Sequence, residues 1–543
     1  MKSATENDQA STVQRCASSI RSPPTARWPP PTLDHLVLRH RIRRVPDGDR
    51  GARYGALLAL AFGGSRILYA IVGVRYAYSG GEAFLYDQLL PEHLLRTQLI
   101  KSVWYMHSQP PLYNIFVGLL AKVPSQQLQT ALEQVLFIGA GLVIVLVANV
   151  LLVDLGVGRR IAFWVVLVGI LASPDYILFE NLSLYAYLTT CLLLVATFLV
   201  TRYLRTSSTW YGLGAFSALA GVVLLNSTYQ WFWLLGAIVI VGAPRWRQTL
   251  KVAIVPCLVV GIWYGKDAVM FGTSTTSSWV GMNLANITLF AVPEPTIRRL
   301  QHEHVLNALA SVRPFLGLNI YVPRFVRLTH TGVGVLDQQL KRGVIHGHRY
   351  TAPNFNNMAY IRLSSAYLHE DVALIRADPT GFANAVEIAV RNYFTPSDQY
   401  DWFTDPVVTQ THRNESAIAP YVDLYDRLVE WQPRQDRQLL RITGLEHALP
   451  PLSTLSYQAA IMFGLTLVGL PFLRRRELWF IWFTCLYGLV LPNMIELGEN
   501  TRFRFELGPL PLIAGAVVAV RLFGKAAQAA KRRNAVGAFS DEK

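Results

Sequence analysis

Long apolar runs separated by short polar or basic breaks dominate the chain from residue 54 onward. A helix that crosses a bilayer needs about 20 mainly apolar residues, because the hydrocarbon core is about 30 Å thick. On that criterion the pattern predicts ten spans, near 56–74, 135–153, 161–179, 182–200, 210–225, 229–243, 252–270, 457–473, 478–494 and 507–520. The run 112–123 is apolar but too brief to cross, and is predicted to be a re-entrant or juxtamembrane helix. The expected fold class is an all-α polytopic membrane protein of about ten transmembrane helices plus that extra helix. A mixed or mainly helical extracytoplasmic domain is expected before the last three helices.

The polar stretches divide the chain further. Residues 1–53, rich in Pro and Arg, read as a disordered basic cytoplasmic tail with no cleavable signal, so the first span acts as an uncleaved anchor. A transmembrane module is expected over 54–270, carrying an outer loop over 75–134. In that loop Pro91 suits a first helical position, and Leu94, Leu95, Leu99, Ile100 and Val103 recur at helical spacing, as in a helix lying in the interface. An extracytoplasmic domain is expected over 271–454, then C-terminal helices over 455–523 and a cytoplasmic tail over 524–543. Within the outer domain 358–376 reads as one helix, and Asp378 followed by Pro379 caps another that runs to about 393.

Composition agrees with a lipid-facing surface. Of 543 residues 52% are hydrophobic and 16% charged, against about 25% charged in a soluble protein. The formal charge of +15 sits in short runs beside the apolar stretches, which is an orientation signal. Basic residues at 39–53, 159–160, 202–205, 245–251, 474–476 and 531–533 place both termini inside. A soluble enzyme, a disordered scaffold and a DNA-binding protein are all poor readings of this pattern, and no nucleic-acid partner is expected. The four cysteines, at 16, 191, 257 and 485, form no pattern of a disulfide-stapled domain.

Ionisable and polar groups at membrane depth are costly and mark function first. Four clusters fall at the predicted outer ends of spans. The first is Glu82, Asp87, Glu92 and His93, leading into His107-Ser108-Gln109-Pro110-Pro111-Leu112-Tyr113-Asn114. Either His107 and Asn114 face a cavity rim, or His107 and Gln109 are merely interfacial polar residues that cap a helix. The second, Pro174-Asp175-Tyr176 with Glu180 and Asn181, is alternatively a solvated turn. The third, Asn226 to Gln230, reads best as polar groups that satisfy the backbone of a helical break. The fourth is Glu496, Glu499, Arg502, Arg504 and Glu506. Two arginines on the predicted outer side break the positive-inside trend, so an anion must compensate them. That anion is either a phosphate, which guanidinium binds bidentately, or the neighbouring glutamates. There is no GxxxxGK[ST] loop, dinucleotide fingerprint, HExxH or CxxC motif. The pairs His302/His304 and His346/His348 read as loop histidines rather than metal ligands.

These clusters, in this order, resemble the GT-C class of integral-membrane glycosyltransferases, close to the family 39, protein O-mannosyltransferase-like group. The stretch from His107 to Asn114 is similar to the family's HxPPL-type motif. Ser173-Pro174 with Glu180 resembles its third-to-fourth helix turn, and Glu499-Asn500-Thr501-Arg502-Phe503-Arg504 its ExxR(F/Y)R stretch. The resemblance implies transfer of a sugar from a polyprenyl-phosphate carrier to a hydroxyl of a lipid, glycan or protein acceptor, with inversion, at the outer face of a plasma membrane, and the family's distribution points to a bacterial one. It implies an acidic general base in the first outer loop and arginines at the leaving phosphate; no cofactor is certain, and room remains for a divalent cation. The family's base usually lies directly after the first helix, where Arg75-Tyr76-Ala77-Tyr78 offers no carboxylate. Asp87 is the favoured base, Glu82 the alternative, with His107 beside them. Gln109, Asn114, Glu180, Asn181, Glu499, Arg502 and Arg504 are the expected substrate contacts. The competing reading is a transporter or flippase of an anionic lipid or lipid-linked sugar. Arg66, the main ionisable group inside a predicted span, bears on that choice.

Overall fold

The computed structural model describes residues 48–77, 87–243, 245–345, 348–404, 409–432, 452–473 and 475–540. Of the expected tail 1–53, residues 1–47 lie outside the described residues, as do Glu82 and His346, while 48–53 are helical. From Gly51 onward the chain forms one compact unit, almost wholly helical. Six of its helices are long and apolar enough to cross a membrane, and are labelled within the chain order that follows. These are α1 (Gly51–Val72), α4 (Gln126–Asp154), α7 (Tyr185–Thr206), α10 (Trp246–Phe271), α17 (Arg476–Ile495) and the first part, Pro509–Gln528, of α19 (Pro509–Ser540). Such a chain suits a multi-pass membrane protein.

Between these lie shorter elements. Helices α2 (Glu92–Trp104) and α3 (Pro111–Leu120) follow α1, and α5 (Arg159–Val166) and α6 (Pro174–Glu180) follow α4. The stretches Arg159–Leu171 and Pro174–Glu180 pass the apolar test only together, bent by 55°. Helices α8 (Thr209–Leu225) and α9 (Trp231–Gly242) are apolar but short, as is Tyr457–Gly469, which contains α16 (Tyr457–Gly464). Each of the ten expected spans therefore lands on an apolar helix, six of them long enough to cross alone, one a bent pair and three short. The run 112–123 forms α3, whose ten residues reach about 15 Å, half the hydrocarbon thickness.

The region expected to face water contains α11 (Val280–Ala291), α12 (Glu294–His302), an antiparallel hairpin of β1 (Leu340–Ile345) and β2 (His348–Pro353), then α13 (Ala359–Ala377), α14 (Pro379–Tyr393) and α15 (Thr409–Leu428). Asp378 caps α14 as expected, its carboxylate accepting from the Gly381 amide at 2.8 Å. The sequence missed the apolar helix α11. It packs on α13 so closely that a Cβ at Gly281 would strike the Ser364 carbonyl, and it also packs against α14 and the span α17. This region is thus joined to the membrane helices along a shared wall.

A short helix, α18 (Asn500–Leu507), is the hub of that wall. All eight of its residues are buried, and it packs against α7, α14 and α17. Phe505 stacks on Phe179 with centroids 3.9 Å apart and lies parallel to Tyr187, which in turn stacks on Phe137 of α4. Burial of these rings contributes about 1.5–3 kcal/mol each, which fixes the rotation of α18 and so the direction of every polar side chain on it.

Candidate functional site

Helix period separates the two arginines. Residues two apart on a helix point about 200° from one another, so Arg502 and Arg504 leave α18 on opposite sides. Arg502 lines a cavity of about 470 Å³ together with Asp87, Gln109, Glu496 and Glu499. Arg504 lies on the far side, where its Nη2 and Nη1 meet Asp175 at 3.3 Å and Glu430 at 3.4 Å, and its Nε donates to Ser397 Oγ at 3.2 Å. One guanidinium, itself buried, belongs to the lining of a cavity. The other is consumed by protein carboxylates, which corrects its assignment as a substrate contact.

Arg502 is held from the side by Glu499, 2.6 Å from Nη2, and more loosely by Glu506, 3.8 Å from Nε. The spacings i, i+3 and i, i+4 put all three on one helical face. Glu506 also accepts from the Asn226 amide at 2.8 Å. Nε and Nη1 of Arg502, both buried, have no hydrogen-bond partner among the described residues. A buried donor left unmade costs about 1–3 kcal/mol, more for a charged group, so these two N–H groups await an acceptor. Burial and the nearby Glu499 push the Glu496 carboxyl well above the usual carboxylate range.

The opposite wall carries Asp87, which is exposed on the cavity yet surrounded by protein. That desolvation lifts its carboxyl to about 6, restrained by the Lys341 ammonium and reinforced by Glu499. Lys341 is buried on β1 and donates to the Leu89 carbonyl at 3.2 Å. Burial lowers its own ammonium to about 8, and Asp87 pulls it back up. The Asn114 side chain clamps the same loop, accepting from the Leu90 amide and donating to the Gln88 carbonyl, each at 2.9 Å. Asn114 therefore shapes the loop and does not line the cavity.

His107 is likewise a fastener. Its Nε2 sits 2.9 Å from the Asn356 carbonyl, which can only accept, so Nε2 carries the proton and Nδ1 accepts from Ser278 at 2.8 Å. Burial lowers its imidazolium to about 3, leaving the ring neutral. The Asn356 side chain accepts from the amides of His107 and Ser108, and the Ser277 hydroxyl donates to the Ser108 carbonyl. These bonds hold Gln109 in the cavity wall. The catalytic assignment of His107 gives way to one of support.

Glu180 and Asn181 stay outside the cavity. Arg66 donates to both Glu180 oxygens, from Nε at 2.9 Å and Nη2 at 2.6 Å, and the Tyr187 hydroxyl donates to the same carboxylate at 2.8 Å. Gly141 leaves room for this knot, since a Cβ there would strike Tyr187, Glu180 and Phe62. The Asn181 side chain donates to the Ile177 carbonyl, capping its own turn. Arg66 is thus locked in protein.

The rest of the cavity is lined by neutral polar side chains, by aromatic rings and by Asp401. Ser227, Thr228 and Gln230 line it, and the backbone repair expected from sequence is also made: Asn226 accepts from the Thr228 amide and the Gln230 side chain donates to the Ser227 carbonyl. Asn283 and Asn286 of α11 join them, with Trp279, Phe315, Tyr400 and Trp402 as the aromatic wall. Phe232, Leu491 and Ile495 bring the apolar ends of α9 and α17 to the same space. Among the described residues no three His, Cys, Asp or Glu side chains gather as a metal-binding set. Comparison with protein-family models, with curated proteins and with solved structures finds no match for this chain.

Proposed function

We propose that this chain is a GT-C-type glycosyltransferase that moves a sugar from a polyprenyl-phosphate carrier to an acceptor hydroxyl. The reading places it in the bacterial plasma membrane, with both termini cytoplasmic and the cavity facing out. The observation that carries it is Arg502: a buried guanidinium with two unmatched N–H groups, facing a cavity whose other walls offer a carboxylate, amides and aromatic rings. A phosphate suits the guanidinium, amides suit sugar hydroxyls and aromatic faces suit the C–H face of a sugar ring.

In this reading Asp87 takes the proton from the acceptor hydroxyl as it attacks the anomeric carbon. The bond from that carbon to the phosphate oxygen breaks, and the polyprenyl phosphate leaves with both electrons. Arg502 meets the charge that grows on the leaving phosphate. A single displacement inverts the anomeric centre. The isoprenoid chain lies along the apolar ends of α9 and α17. No step passes through a metal.

The test is sugar transfer in detergent from a panel of polyprenyl-phosphate sugars, read by mass spectrometry. Asp87→Asn is expected to lower turnover about 100-fold or more, the range for a general base. Movement of lipid-linked sugar across sealed vesicles, without covalent change, would replace this reading by the transporter.

A further inference from the structure

The spans that meet the cavity at one end form a second hollow at the other. Helix α7 contributes Tyr185 to the cavity and Tyr203 and Leu204 to the hollow, α9 contributes Phe232 and then Val241, and α17 contributes Leu491 and then Arg476. At about 1.5 Å per residue the two sites lie roughly 27 Å apart along α7. That separation is close to the thickness of the hydrocarbon core.

The hollow holds about 250 Å³. Its floor is the hydroxyl pair Tyr203 and Thr249, 3.1 Å apart and buried. Two hydroxyls that share one hydrogen bond use one proton, so the second remains to be donated to a ligand. Arg245 and Arg476 stand exposed at the rim and make no ion pair among the described residues. The one carboxylate present, Glu477, is already engaged by Arg475 through Nε at 2.9 Å and by Arg205 at 3.6 Å. The hollow therefore keeps an uncompensated positive charge over a hydroxyl floor. Next in sequence to the lining residues Arg245 and Thr249, Trp246 and Leu250 expose apolar surface.

We propose that this hollow binds the headgroup of an anionic glycerophospholipid, its phosphate between Arg245 and Arg476 and its acyl chains over Trp246 and Leu250. Two guanidinium groups recognise phosphate geometry, and basic pockets between helix ends are suited to acidic lipid heads. The exposed apolar side chains favour a lipid over free phosphate, because only a lipid also covers them. The site is independent of the chemistry in the cavity.

The full-length protein in neutral detergent is heated with phosphatidylglycerol, phosphatidylcholine or inorganic phosphate, and bound lipid is counted by native mass spectrometry. Phosphatidylglycerol is expected to raise the unfolding midpoint and persist as an adduct, while phosphatidylcholine and phosphate do neither. The variant Arg245→Gln/Arg476→Gln should lose at least half of that shift and most of the adduct. Thr249→Val, which leaves both arginines in place, should weaken the adduct to a lesser degree. An equal response of wild type and the double variant would overturn the proposal, as would equal stabilisation by phosphatidylcholine or by phosphate alone.

Discussion

The two sides of α18 carry the same residue type to opposite ends. On one side Arg504 meets Asp175, Glu430 and Ser397 in a closed set, with bonds of 3.2–3.4 Å. On the other, Arg502 has Glu499 at 2.6 Å but keeps Nε and Nη1 unmatched beside a 470 Å³ cavity. Residue type alone does not mark a binding group. What marks it is a cation buried in protein whose hydrogen bonds the protein leaves incomplete.

Stability should respond most to the closed side. Arg504→Ala leaves Asp175 and Glu430 buried without their cation, and breaking such a set costs about 3–5 kcal/mol. A large fall in the thermal midpoint is expected, measured in detergent with the full chain. An unchanged midpoint would show that this side is not closed, and the contrast with Arg502 would collapse.

The open side should respond in turnover instead. Arg502→Ala is expected to lower sugar transfer about 100- to 1000-fold, the range for loss of a group that stabilises developing charge. Its midpoint should fall less than that of Arg504→Ala. Arg502→Lys keeps the charge but loses the fork that grips phosphate, so it should recover only part of the rate. Full activity in Arg502→Ala would remove the proposed phosphate site.

How much of this is legible in sequence follows from the range of the contacts. Helices 358–376 and 379–393 and the Asp378 cap were readable because propensity, period and capping act within a few residues. The run of Glu499, Arg502 and Glu506 was readable as an ion-pair face for the same reason. The opposite fates of Arg502 and Arg504 were not, because they depend on Asp175 and Glu430, far along the chain. His107 looked like a rim group until its partners Ser278 and Asn356 were seen, 171 and 249 residues away. Lys341 carries no local signal at all, since only the fold brings its strand to the Asp87 loop. Polar residues in Ser227 to Gln230 misled in the other direction. Local chemistry explains the bond from the Thr228 amide to Asn226 and says nothing of Glu506, which Asn226 also meets, or of the cavity that its neighbours line.

The smallest expected effect sharpens the comparison at the far wall of the cavity, where Asp87 is a carboxyl left partly compensated. The proposed reaction uses its ionised form, so under that proposal the rate should fall as pH drops through about 6. The charged and titratable groups around it are Lys341 from the hairpin, Glu499 from the start of α18 and Tyr360 from α13, and the tyrosine is neutral in this range. Lys341 favours the ionised carboxylate, so Lys341→Met should move the acid limb upward, by about one pH unit. Glu499 disfavours it, so Glu499→Gln should move the limb downward, whatever it does to the maximal rate through Arg502. A loop merely loosened by either substitution has no reason to shift the two limbs in opposite directions. Carbodiimide labelling of Asp87 against pH reads the same titration without turnover. Shifts of one sign, or none, would mean that Asp87 is not governed by these two charges.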